Sequence, residues 1–172
     1  MDTFLIFTDA ATSPQTSIAV GAFLCIKQSS IESYAQSSPD ELYLKLSDII
    51  VYGNYTSKKS TWSEIKTVID ALSNLKKNPL QKVELYTDCQ SVCDLLNKRK
   101  EKLLKNNFIT RTGKVLANAD LYKELFEVAE QFDIHVFKIK GHSPKSNRVS
   151  IEEKIFTVLD KLSRKKLRSL ML

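Results

Sequence analysis

The sequence predicts an α/β fold: a mixed five-stranded sheet, antiparallel across its first three strands and parallel across its last two, flanked by helices. Three observations lead there. Strand-like segments separated by small-residue loops crowd the N-terminal third. Beyond them, strand-like runs alternate with segments whose apolar residues recur at helical spacing, the pattern of parallel crossovers. The chain has 172 residues, 42% hydrophobic and 27% charged, which suits one domain with a sizeable core.

Phe4 to Thr8 is an apolar run that reads as a strand buried on both faces, and Ile18 to Ile26 reads as a second, across a Ser/Thr/Pro loop. Leu44 to Tyr55 alternates loosely and is expected to supply the third strand of a meander. In SKKSTWSEIKTVIDALSNLKKNP, residues Ile65, Val68, Ile69, Leu72 and Leu75 recur at helical spacing. Ser60 or Thr61 is the expected cap of that helix, and Asn78-Pro79 its stop. VELYTD (residues 83–88) is a strand, QSVCDLLNKRK a short helix running into a basic stretch, and ADLYKELFEVAEQF a helix. IHVFKIKGH follows as the last strand, and a final helix covers about Ile151 to Leu170.

Composition excludes some classes. No apolar run approaches the ~20 residues of a membrane span, and the N-terminus has no secretory pattern. Cys25, Cys89 and Cys93 lack metal spacing and read as free thiols in a reducing cytoplasm. The net charge is +6, and its distribution is uneven. Residues 98–114 hold seven Lys/Arg against one Glu, and the segment after Asp160 holds five more with no acid. Such runs are either solvated faces or contacts for an anionic polymer.

Two carboxylates follow the same local pattern of apolar run, Thr, Asp and small residue: Asp9 in IFTDA and Asp88 in LYTDCQS. If the two strands are parallel neighbours, both acids fall at the carboxyl edge of the sheet, where α/β folds bind ligands. Glu64 lies in the first turn of a helix that can reach that edge, and Asp160 on the last helix can descend from the other side. Each has a plainer reading. Asp9 can be a turn former, Glu64 can favour the helix dipole, and Asp160 can pair with Arg164 at i,i+4. Together they would repel unless cations held them, and hard oxygen ligands select Mg²⁺ or Mn²⁺. Two such ions suit hydrolysis of a phosphodiester.

Several segments then resemble one family, the type 1 ribonucleases H of the ribonuclease H-like superfamily: IFTDA, TWSEIKTVIDAL, LYTDCQSV, KVLANADLYKEL, FKIKGHS and LDKLSRKKLR. The similarity runs from Phe4 to Arg168. It implies a single catalytic domain over residues 1–172, with four metal-binding acids at Asp9, Glu64, Asp88 and Asp160, two Mg²⁺ ions with Mn²⁺ as a substitute, and an assisting His142. It also implies hybrid contacts by Thr61, Gln90 and Asn118, with Lys98, Arg99 and Lys100 in a basic protrusion over about residues 98–114. The implied activity is cleavage of the RNA strand of an RNA–DNA hybrid, leaving 5′-phosphate and 3′-hydroxyl ends. A cytoplasmic monomer with no obligate protein partner and no separate hybrid-binding module is expected.

The departures are specific. Ala10, Ala11 and Thr12 follow Asp9 where the family usually has Gly-Ser. The loop from His142 to Asp160 is long, and a shorter count lands on Glu152 or Glu153, with Glu153 the alternative fourth acid. Trp62 replaces a usual polar residue and either stacks on a sugar or packs. Asp120 reads as a helix-start residue and His135 as structural. Two rivals remain: a nuclease of the same fold acting on structured DNA or duplex RNA, and a binding module on a decayed scaffold.

Overall fold

The structure, a computed structural model, describes residues 1–140 and 150–172. Its first strand, β1 (Phe4–Ser13), is apolar on both faces, and alternate side chains enter two separate cores. It pairs antiparallel with β2 (Ile18–Lys27), which pairs antiparallel with β3 (Val51–Thr56). On its other side β1 pairs parallel with β4 (Lys82–Thr87), and β4 pairs parallel with β5 (Asp133–Lys138). The order is β3-β2-β1-β4-β5, the mixed sheet the sequence predicts.

The third strand is shorter than expected. Two helices precede it, α1 (Ile31–Ala35) and α2 (Pro39–Ile49), and the end of α2 replaces the first half of the predicted Leu44–Tyr55 strand. Ser38 accepts from the Glu41 backbone N–H while the Glu41 side chain accepts from the Ser38 N–H, and Pro39 sits in the first turn. Leu42 and Leu46 then lie one above the other on the buried face.

Helix α3 (Ser60–Ser73) buries Ile65, Val68, Ile69 and Leu72 against one face of the sheet. Lys59 occupies its N-cap position with no side-chain cap, so neither Ser60 nor Thr61 caps it. The helix also ends at Ser73, before Asn78-Pro79; instead Asn78 Oδ1 accepts from the Leu80 N–H in the turn that enters β4. After β4, α4 (Gln90–Asp94) passes through a π-helical turn, Leu95–Arg99, into α5 (Lys100–Lys105). Helix α6 (Ala119–Ala129) packs on the α3 side, while α7 (Ile151–Leu170) and α2 cover the opposite face. Along β1, Ile6 points to the α3 core and Leu5 and Phe7 to the α7 core. The period of two puts Asp9 on the α7 side.

Candidate metal centre

The site begins where one ladder ends. Phe7↔Tyr86 is the last residue pair between β1 and β4, and Asp9 and Asp88 each come two residues later. The parallel register therefore delivers both acids to the same edge. Asp9 is not at a strand end, however. Strand β1 runs on to Ser13 because Ala10, Ala11 and Thr12 continue the pairing with Gly21, Val20 and Ala19 of β2. Beneath the edge, Phe7, Tyr86 and Phe137 stack across three adjacent strands, with ring centroids 4.8 and 5.2 Å apart.

Glu64 enters from the first turns of α3. Ligand oxygens of Asp9, Glu64 and Asp88 all lie within 4.8 Å of one another. Asp9 is 4% exposed and Glu64 9%. One Glu64 oxygen, Oε1, accepts from the Ala10 N–H at 3.3 Å; the other, Oε2, is buried with no hydrogen-bond partner among the described residues. Burial pushes the Asp9 carboxyl up to about 7, the Ser163 hydroxyl opposes this, and the charges of Asp160 and Asp88 add to it. Glu64 is held well above its ordinary value, first by burial and then by Asp9 and Asp88.

Asp160 borders the same cleft of about 420 Å³, together with Asp9, Glu64, Asp88 and Arg164. Its Oδ1 accepts from Arg164 Nε at 2.8 Å, so the i,i+4 pair and the place beside the cluster coexist. Glu153 lies in the first turn of α7, where its backbone N–H is capped by Ser150. The sequence reading missed Ser163. This fully buried hydroxyl on α7 donates to Asp9 Oδ2. Its signal was a lone polar residue on the apolar stripe of Ile155, Phe156, Leu159 and Leu162.

This donor set fits a hard divalent cation. Among the described residues it offers carboxylate oxygens only, crowded closer than like charges tolerate, with one buried carboxylate oxygen left without a partner. His142 lies outside the described residues.

The other predicted residues are spread around this centre. Thr61 sits one turn before Glu64 on α3. Gln90 opens α4, its amide held between Lys138 Nζ at 2.6 Å and Asp94 Oδ1 at 2.8 Å. Asn118 takes the N-cap position of α6 without capping it. Lys98 and Arg99 are exposed, with Lys98 3.9 Å from Asp94 and Arg99 over the Tyr122 ring, while the half-buried Lys100 is tied to Glu130 at 3.0 Å and lies over the Phe126 ring. Trp62 packs edge-on to Tyr55 and against the α3 core. Asp120 is exposed in the first turn of α6, and His135 is exposed on β5 beside Asp133. Cys25, Cys89 and Cys93 are free thiols, and burial pushes Cys25 and Cys89 up to about 11.

A mixed α/β sheet with an acidic cluster at the carboxyl edge of its central parallel pair defines a class of hard-cation domains. The family model described as RNase H matches residues 1–151, and the chain belongs to the RNase H family. That match stops short of Asp160. The protein named Ribonuclease H from Zymomonas mobilis subsp. mobilis is 42% identical over 80 residues, 46% of this chain and 50% of that protein. The one from Orientia tsutsugamushi is 33% identical over 93 residues, 54% of each. The chain thus spans about half the length of the curated relatives it matches. Among solved structures, LC9-RNase H1, described as a type 1 RNase H with the type 2 active-site motif, is similar at a TM-score of 0.69 and 12% identity. That similarity covers 98% of this chain and 74% of that one. A foamy viral protease-reverse transcriptase in complex with RNA/DNA hybrid gives a TM-score of 0.60 at 14% identity, over 98% of this chain and 20% of that one. At these identities the likeness concerns the fold. No helix among the described residues is long and apolar enough to cross a membrane.

Proposed function

We propose that the chain is a single-domain, divalent-metal-dependent endonuclease that hydrolyses the RNA strand of RNA–DNA hybrids. The observation that carries this reading is the meeting of Asp9, Glu64 and Asp88 around a buried Glu64 oxygen that has no partner among the described residues, in a chain of the RNase H family. Asp9, Glu64, Asp88 and Asp160 hold two Mg²⁺ ions, with Mn²⁺ as a substitute. When bound, the ions supply the Lewis-acid chemistry that phosphodiester hydrolysis needs.

The chain's own residues do the rest. The four carboxylates fix where positive charge sits relative to the substrate phosphate. Thr61, Gln90 and Asn118 offer hydroxyl and amide groups to the hybrid's sugars and bases, and a ribose 2′-OH is the local mark of the RNA strand. Lys98 and Arg99 neutralise phosphates along the protrusion, and Lys100 contributes field while pinned to Glu130. His142 assists proton transfer or product release. Cleavage leaves 5′-phosphate and 3′-hydroxyl ends. A cytoplasmic monomer suits this activity.

The test is cleavage of an end-labelled hybrid in Mg²⁺, in Mn²⁺ and in chelator, beside duplex RNA and duplex DNA. Wild type should cut only the RNA strand of the hybrid, and only with metal. Asp88→Asn should bind the hybrid and leave it intact. An Asp88→Asn protein that cuts at the wild-type rate sinks the mechanism, and preferred cleavage of a duplex moves the substrate.

A further inference from the structure

We propose that Ser163 is a positioning residue: its hydroxyl holds Asp9 in the orientation that meets Glu64 and Asp88, and so sets the divalent-cation affinity of the site. This rests on the metal-dependent reading above.

The bond joins residues far apart in the chain, α7 to β1, and both are buried. A serine hydroxyl has one proton to give. Its oxygen lies near Asp9 Oδ2 and 3.0 Å from the Asp160 carbonyl; a carboxylate is the stronger acceptor, so the proton goes to Asp9. The Asp9 backbone is fixed by its pairing with Ala22, but its side chain retains three staggered χ1 wells and a two-fold χ2. The Ser163 hydroxyl selects among them and occupies Oδ2.

Packing alone does not account for a serine here. The rest of the buried face of α7 is apolar, and alanine is a better mid-helix residue that would fill nearly the same space. The same bond adds a polar contact to the apolar docking of α7 on β1. Asp160 is three residues earlier on that helix, on the same side, and comes down beside the cleft.

The experiment compares wild type, Ser163→Ala and Ser163→Cys as full-length proteins. Alanine removes the hydroxyl; cysteine fills the space with a weak donor. Mg²⁺ binding is measured by calorimetry without substrate, and hybrid cleavage is followed across Mg²⁺ concentrations. Both variants should bind Mg²⁺ about tenfold more weakly, as loss of one hydrogen bond to a charged group implies. Their kcat should fall at limiting Mg²⁺ and recover at high Mg²⁺, with KM for the hybrid unchanged. Variants within twofold of the wild-type Mg²⁺ affinity overturn the inference, whatever their thermal stability. Wild type that binds Mg²⁺ but cuts no hybrid refutes the activity and leaves this comparison standing. Wild type that binds no divalent cation removes both.

Discussion

Replacing Asp9 with Asn should stabilise the metal-free protein at alkaline pH. Burial and the neighbouring acids raise the Asp9 carboxyl from 3.8 to about 7, so the folded state holds this proton more tightly than the unfolded chain. An acid shifted upward contributes most to stability below its unfolded pKa. That contribution is lost as pH rises through the interval between the two values, and is gone above about 7. The shift of roughly three units corresponds to about 4 kcal/mol in full. Between about pH 5 and about pH 8.5 the loss is about 2–3 kcal/mol. Asn does not titrate, and its side-chain oxygen can still accept from Ser163. Urea unfolding in chelator at the two pH values measures the difference. The Asp9→Asn protein should gain on wild type by about 2–3 kcal/mol between the lower and the higher pH, and added Mg²⁺ should stabilise wild type alone. A gap that does not change with pH, or an Asn variant stabilised by Mg²⁺ as much as wild type, would refute the reasoning that buried carboxylate repulsion awaits a cation.

Lys98→Ala and Arg99→Ala should weaken hybrid binding and flatten its salt dependence by roughly one unit of slope each, with kcat unchanged; binding titrations over a salt series check this. Lys100→Ala should leave that slope nearly alone and lower stability by about 0.5–1 kcal/mol, because its ammonium is engaged with Glu130 and the Phe126 ring. Leu46→Ala removes a fully buried side chain between α2 and the α7 core and should cost about 2–5 kcal/mol in denaturant unfolding. Gly21→Ala places a Cβ 2.2 Å from Thr67 Oγ1 and 2.8 Å from the Tyr55 ring, and should destabilise by about 1–3 kcal/mol in the same assay.

Local chemistry carried much of this protein. The apolar runs of β1, β2 and β4 and the helical spacing of α3, α6 and α7 are written in consecutive residues, because one buried face imposes its period directly on the sequence. The repeated Thr-Asp pattern marked Asp9 and Asp88 for the same reason. Helix α2 was legible too, in Ser38-Pro39 and Glu41, but Leu44 and Leu46 satisfied a period of two and imitated a strand; in the helix Leu46 shares the buried face with Leu42, one turn earlier, while Leu44 is exposed. The end of β1 was not legible. Small residues after Asp9 read as a loop, and only the partner strand β2 made them a ladder.

What tertiary structure decided is which distant groups share the same few ångströms. The parallel register of β1 with β4 brings Asp88 to Asp9, and the docking of α3 leaves a Glu64 oxygen buried with no hydrogen-bond partner among the described residues. The descent of α7 puts Asp160 on the cleft and brings Ser163 onto Asp9. A sequence specifies such residues one at a time. Their mutual repulsion, their raised proton affinity and their demand for a cation arise only when folding excludes water from between them, because the energy of a charge depends on what surrounds it.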